Sequence, residues 1–197
     1  MLPRPTSKHD LTSLLAFIGR ALSGGVDLVQ IRERDLTASD IFSLAKITAR
    51  IARQYDARVL INDRADIAAA SNTGVHLTTR SLRAETVRET LGPDILIGAS
   101  THTIEEAVEA ECGGADFVVF GPVFETESKK IYGPPVGLEA LGEVAGRLDI
   151  PVLALGGIKL SNFTHALDRG AAGIAAISLF TEAEDIESVV REIKGIA

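Results

Sequence analysis

Arg32 and Arg34 stand one residue apart just beyond an apolar run, Val26–Ile31, and Gln30 shares their parity. On an extended chain alternate residues share a face, so Gln30, Arg32 and Arg34 would point to one side and Ile31 and Glu33 to the other. Two guanidinium forks on one side of a strand end suit a multiply charged phosphate. The competing reading is a surface ion cluster with Glu33 and Asp35. Three polar groups aimed at an interior that should be apolar favour the phosphate. Asn62-Asp63-Arg64 follows a second run, Arg58–Ile61. Such an Asx pair can simply cap the next helix. Beside the arginines, Asp63 is also a candidate Mg²⁺ ligand, because Mg²⁺ takes hard oxygen donors together with substrate phosphates. Both readings stand on the residues alone.

Further along lie Ser100-Thr101-His102-Thr103, after the run Ile95–Ile97. Thr103, ahead of Glu105 and Glu106, reads as a helix cap, and Ser100 as a ligand group in addition. The segment from Gly121 to Gly137 is the longest stretch between a strand and its helix, and long loops in compact domains are usually functional. Thr126, Ser128 and Lys129 in it offer two hydroxyls and a point charge, a phosphate-binding set. Gly156-Gly157 and Ile177-Ser178 close two later runs, and glycine there lets backbone N–H groups approach a phosphate. His76, inside a short run, reads as a satisfied interior imidazole; His9 and His165 read as surface residues. Cys112, late on a helix, reads as a small packed residue.

The elements that must position these groups follow from periodicity. Short apolar runs at Val26–Ile31, Arg58–Ile61, Val75–Leu77, Ile95–Ile97, Phe117–Phe120, Pro151–Leu155 and Gly173–Ile177 read as parallel strands covered on both faces. Helical patterns lie between them. One spans Ala38–Gln54, with Ile41, Leu44, Ala45, Ile47, Thr48 and Ile51 in a stripe and Thr37 placed to cap it. Other helices begin near Leu11, Arg64, Ala84, Ile104, Leu138, Leu160 and Glu184. Strict alternation of strand and helix predicts a parallel α/β fold, and seven strands favour a TIM (β/α)8-type barrel over a small open sheet. An eighth strand ahead of Leu11 would contain Pro3 and Pro5, so the first strand is expected to be degenerate or missing. Residues 1–197 are expected to form a single barrel domain, with its chemistry on the C-terminal strand ends.

The 197 residues carry 20 Lys and Arg against 27 Asp and Glu, a formal charge of −7. With no basic stripe to offset it, this balance argues against a nucleic-acid or anionic-membrane partner and leaves small molecules, with a homo-oligomer open. One cysteine makes no internal disulfide, no run approaches the ~20 residues that span a bilayer, and Met1–His9 lacks the apolar core of a signal peptide. A cytoplasmic location is expected.

Taken together, Gln30–Asp35, Asn62-Asp63-Arg64, Gly74–Leu77, Gly98–Thr103, Gly114–Asp116, Gly121–Lys129, Gly156-Gly157-Ile158 and Ala175–Ser178 resemble the thiamine-phosphate synthase family, which also contains thiazole tautomerases. The resemblance runs from about Leu11 onward. It implies a transferase of thiamine biosynthesis that joins 4-amino-2-methyl-5-hydroxymethylpyrimidine diphosphate to thiazole phosphate and releases pyrophosphate. It further implies that Gln30, Arg32, Arg34, Asn62, Ser100 and Lys129 hold the pyrimidine diphosphate, with Arg32, Arg34 and Lys129 catalytic. Asp63 would bind Mg²⁺, and Thr126, Ser128, Gly157, Ile177 and Ser178 would hold the thiazole phosphate. Three features depart from the pattern. The family's arginine-x-lysine pair reads Arg32-Glu33-Arg34, the second Mg²⁺ carboxylate is replaced by Ser81, and the N-terminus is degenerate. Loss of one carboxylate predicts weaker Mg²⁺ binding. The alternatives are the tautomerase and a non-catalytic binder of the same phosphates. The resemblance puts the tautomerase's proton-transfer histidine after Gly121, where this chain has Pro122.

Overall fold

Helix and strand alternate through the chain, and each boundary has a local cause. The computed structural model describes residues 8–126 and 134–195. Helix α1 spans Lys8–Ser23, and the strands and helices that follow are β1 (Leu28–Ile31), α2 (Ala38–Ala52), β2 (Arg58–Asn62), α3 (Ala65–Ser71) and β3 (Gly74–Leu77). Next come α4 (Ala84–Leu91), β4 (Ile97–Thr101), α5 (Ile104–Cys112), β5 (Phe117–Phe120), α6 (Gly137–Arg147) and β6 (Val152–Leu155). The last elements are α7 (Phe163–Leu167), β7 (Gly173–Ala175), α8 (Ser178–Thr181) and α9 (Ile186–Lys194). The strands are hydrogen-bonded in chain order, β1 to β7, which is (β/α)-barrel topology. The proline-bearing segment in which a degenerate first strand was expected lies outside the described residues up to residue 7.

The described residues form two compact units, one of residues 8–75 with 177–195 and the other of residues 76–126 with 134–176. In the first, β1 and β2 run parallel from Leu28↔Arg58 to Ile31↔Ile61. Helix α2 buries Ile41, Leu44, Ala45, Thr48, Ala49 and Ala52, the stripe a 3.6-residue period demands. Ile47, expected in that stripe, is exposed; six residues from Ile41, it falls on the far side of the helix. Thr37 caps α2 by accepting from the Asp40 amide at 3.2 Å. Helix α9 packs on α1 through Ile186, Val190 and Ala21, with Phe17, Val26 and Phe180 alongside.

In the second unit, β4, β5 and β6 pair in parallel, from Gly98↔Phe117 to Thr101↔Phe120 and from Val118↔Val152 to Phe120↔Ala154. Strand β7 joins β6 from Leu153↔Gly173 to Leu155↔Ala175. The core here includes Val87, Ile97, Val118, Phe120, Leu141, Val144 and Ala154, all nearly inaccessible.

Several strand boundaries differ from expectation: β1 starts at Leu28 rather than Val26, and β4 and β7 are shifted or shortened. Strand β4 begins where Ile95–Ile97 was expected to end. The Ile95 carbonyl is taken by Arg88 Nη1 at 2.8 Å and the Ile97 amide by Asp116 Oδ2 at 2.6 Å, so the segment before Ile97 serves as an anchored lead-in. The strand itself, Ile-Gly-Ala-Ser-Thr, is too polar to stand out as an apolar run. It needs a glycine: a Cβ at Gly98 would collide with the ring of Phe117 on β5. Strand β7 ends two residues before Ile177 because its partner β6 stops at Leu155.

Candidate active site

In the first unit, parallel pairing puts the C-terminal ends of β1 and β2 side by side. Gln30 Nε2 donates to Asn62 Oδ1 at 3.0 Å, and Asn62 Nδ2 donates to Asp63 Oδ2 at 2.7 Å. This line of two amides and a carboxylate fixes how Asp63 is presented. Asp63 is exposed and adopts φ 61°, a left-handed conformation that Asp tolerates better than most residues with a Cβ. Neither residue of the Asx pair is the N-cap of α3, which is Arg64, with no side-chain cap bond of its own. Arg64 is turned to Asp66 in a two-pronged pair, Nε to Oδ1 at 2.9 Å and Nη2 to Oδ2 at 2.6 Å. That hydrogen bonding raises the Arg64 pKa and lowers the Asp66 pKa.

Strand parity does not carry through to Arg32 and Arg34. The ladder stops at Ile31, so strand parity reaches Gln30 and no further; both arginines are exposed, on the connection leading to Thr37. Ile177 is the residue before α8 and is 44% exposed, and Ser178 is the first residue of that helix.

Asp63 suits Mg²⁺ by its chemistry. Mg²⁺ commonly takes one or two carboxylates, keeping the rest of its shell for water and substrate phosphate, and an exposed carboxylate steered by Asn62 is such a donor. No group of three or more His, Cys, Asp or Glu arranged to hold a metal occurs among the described residues.

In the second unit, His76 is 5% exposed and its Nε2 lies 2.8 Å from Ser100 Oγ, with the Phe117 ring 6.4 Å away. His76 is the satisfied interior imidazole expected. Ser100 is not beyond its strand but within β4, where His76 orients its hydroxyl. Thr103 caps α5 by accepting from the Glu106 amide at 3.2 Å. Ser81 closes a turn on Thr78, accepting from its amide at 2.7 Å, with the two hydroxyl oxygens 3.1 Å apart.

The segment after β5 is laid against the exit of β6. The Val123 amide donates to Leu155 O at 2.8 Å and the Phe124 amide to Gly156 O at 3.0 Å. A Cβ at Gly157, φ 65°, would sit 2.5 Å from Glu125 O and 2.8 Å from Phe124 Cβ, so glycine there is a packing requirement. Thr126 ends the described part of this segment. Ser128 and Lys129 lie outside the described residues.

A sequence model described as thiamine monophosphate synthase matches residues 5–180. A thiamine-phosphate synthase of Halalkalibacterium halodurans is 40% identical over 195 residues, covering 95% of this chain and 92% of the relative. One from Chlorobium luteolum is 42% identical over 186 residues, 94% of this chain and 88% of the relative. The chain belongs to the thiamine monophosphate synthase family. The solved structure of a thiamine phosphate pyrophosphorylase from Pyrococcus furiosus superposes with a TM-score of 0.85 at 34% identity, covering 96% of this chain and 91% of that one. A 3-hexulose-6-phosphate synthase, at 16% identity and TM-score 0.70 over 94% and 93% of the two chains, shares the fold alone.

Within this thiamine monophosphate synthase family member, several side chains that organise the strand ends escaped the sequence reading. Asn162 accepts from the Lys159 amide at 2.8 Å and donates to Gly157 O at 3.0 Å, holding the Gly-Gly turn; an Asx residue a few positions beyond two glycines is a weak signal for it. His102, within the capping segment Ser100–Thr103, bonds Gly121 O through its Nδ1. Cys112, expected to be packed, is exposed, because it falls on the outer side of the last turn of α5. No described helix is long and apolar enough to cross a membrane.

Proposed function

We propose that this chain couples 4-amino-2-methyl-5-hydroxymethylpyrimidine diphosphate to thiazole phosphate, forming thiamine phosphate and pyrophosphate. The observation that carries the reading is the Gln30–Asn62–Asp63 line at paired strand ends, in a chain so similar to thiamine-phosphate synthases over nearly its whole length.

The C–O bond between the pyrimidine methylene and the diphosphate breaks, and its electron pair leaves with pyrophosphate. The thiazole nitrogen then gives its lone pair to the methylene carbon, forming the C–N bond and a thiazolium. Little acid–base chemistry is needed, so the protein's task is to stabilise the departing charge and to hold the partners in line. Arg32, Arg34 and Lys129 meet the diphosphate. Gln30 and Asn62 are side-chain amides that can read a heterocycle and a phosphate, and Ser100, oriented by His76, adds a hydroxyl. Asp63 would hold Mg²⁺, which when bound neutralises pyrophosphate charge. Thr126, Ser128, Gly157, Ile177 and Ser178 would take the thiazole phosphate through hydroxyls and backbone amides.

Purified protein supplied with both substrates, with and without Mg²⁺, tests this directly. Thiamine phosphate and pyrophosphate should appear in equal amounts, only when both substrates are present and much faster with Mg²⁺. Isomerisation of the thiazole alone, or binding with no turnover, would overturn the reading.

A further inference from the structure

Gly121 is the first residue after β5 and the start of the segment that runs to Thr126. Both of its backbone polar groups are taken by consecutive residues at the exit of β4. Its amide donates to Thr101 O at 3.2 Å, and its carbonyl accepts from His102 Nδ1. The backbone that carries the imidazole is itself anchored, because the His102 amide donates to Glu106 Oε2 at 2.7 Å, one turn into a helix capped by Thr103. On the other flank the segment is bound to the exit of β6 through Val123 and Phe124. A side chain at Gly121 is excluded, since its Cβ would strike the Leu155 carbonyl. The segment is therefore clamped from two strand ends, and on the β4 side the His102 ring supplies the side-chain half of the clamp.

We propose that His102 is a positioning residue: through the Gly121 carbonyl it sets the course of residues 121–126 and so delivers Thr126 to the thiazole phosphate. This rests on the function proposed above for Thr126. A neutral ring in this role carries its proton on Nδ1, and an asparagine amide nitrogen can take that place, whereas leucine fills the volume without a donor.

The test uses the full chain with His102→Leu and His102→Asn. Steady-state kinetics in both substrates should show KM for thiazole phosphate raised roughly tenfold in the leucine variant, as for loss of one well-placed hydrogen bond. KM for the pyrimidine diphosphate should hardly move, and the asparagine variant should recover most of the loss. Amide hydrogen exchange gives a readout that needs no turnover. The Val123 and Phe124 amides should exchange roughly tenfold faster in the leucine variant, and at the wild-type rate in the asparagine variant. Unchanged exchange in the leucine variant, no rescue by asparagine, or equal rises in both KM values would overturn the proposal. If the wild-type protein forms no thiamine phosphate, the function reading falls, and exchange alone then decides whether His102 sets the segment.

Discussion

Charge decides which phosphate each group serves. Pyrophosphate departs with more negative charge than a monophosphate ester carries, so it calls for formal cations, whereas neutral donors suffice for the thiazole phosphate. Contacts that strengthen as the leaving group gains charge lower the barrier, while contacts uniform through the reaction mainly lower KM. Arg32→Ala or Lys129→Ala should therefore reduce kcat by on the order of 10²-fold, as for other groups that stabilise transition-state charge. Ser178→Ala should chiefly raise KM for thiazole phosphate. Steady-state kinetics on the three variants decide it; a Lys129→Ala protein altered only in KM would reverse the assignment. The same reasoning applies to Ser81, which here closes a turn on Thr78 at a position where the family resemblance implies a carboxylate. Ser81→Asp restores a negative donor and should tighten Mg²⁺ binding, read by calorimetric titration as well as by activity at low Mg²⁺. No response in either measurement would separate position 81 from the metal. Parity along an extended chain applies to Gln30 but does not extend to Arg32 and Arg34, because a parity rule holds only while the ladder lasts, and this one ends at Ile31.

At the scale of elements, the parts readable from the sequence are those whose own residues enforce them. Phe117–Phe120 is a strand by its four buried side chains, and α2 begins at its Thr37 cap. The start of β4 was not readable because a distant side chain sets it. Arg88 donates to the carbonyls of Gly92, Pro93, Ile95 and Gly114 at 2.8–3.1 Å and to Asp116 Oδ2 at 2.9 Å. Asp116 in turn accepts from the Ile97 amide. One guanidinium thus joins the end of α4, the lead-in to β4 and the entry of β5, far from the strand exits that carry the chemistry. The site itself was legible as residue types but not as geometry: nothing in the spacing of Gln30 and Asn62, or of His76 and Ser100, announces that they meet. Arg88→Met keeps the apolar stem and removes every donor. It should cost about 2 kcal/mol, measured by urea unfolding, since Asp116 stays partly hydrated while several carbonyls lose their partner. The purified variant should keep kcat within about twofold, because Arg88 touches no strand exit. A large fall in kcat at unchanged stability would show that the tie reaches the site.

At the scale of the whole molecule, an acidic chain of net charge −7 must bind anionic substrates through local groups, and the positions of those groups depend on how the chain's ends are fixed. The first unit is assembled from the beginning of the chain and its last segment. The seam between them is the packing of α9 on α1. Ile186 and Val190 are each 3% exposed and meet Ala21, and around them Ser23 Oγ donates to Glu187 Oε1 at 2.8 Å and Lys194 Nζ pairs with Asp27 Oδ1 at 2.6 Å. The polar links are exposed and contribute little, so burial of the apolar residues must hold the seam. Phe180 of α8 packs against the same cluster, two residues after Ser178. Shrinking the cluster should therefore act in two ways. Ile186→Ala should destabilise the protein by about 2–4 kcal/mol, the usual cost of emptying a buried aliphatic site. It should also loosen α8 and raise KM for thiazole phosphate, while KM for the pyrimidine diphosphate, proposed to meet the ends of β1 and β2, stays near its wild-type value. Urea unfolding and two-substrate kinetics on one preparation read both effects. A stability loss with both KM values unchanged would show that Ser178 is held by its own loop and owes nothing to the seam.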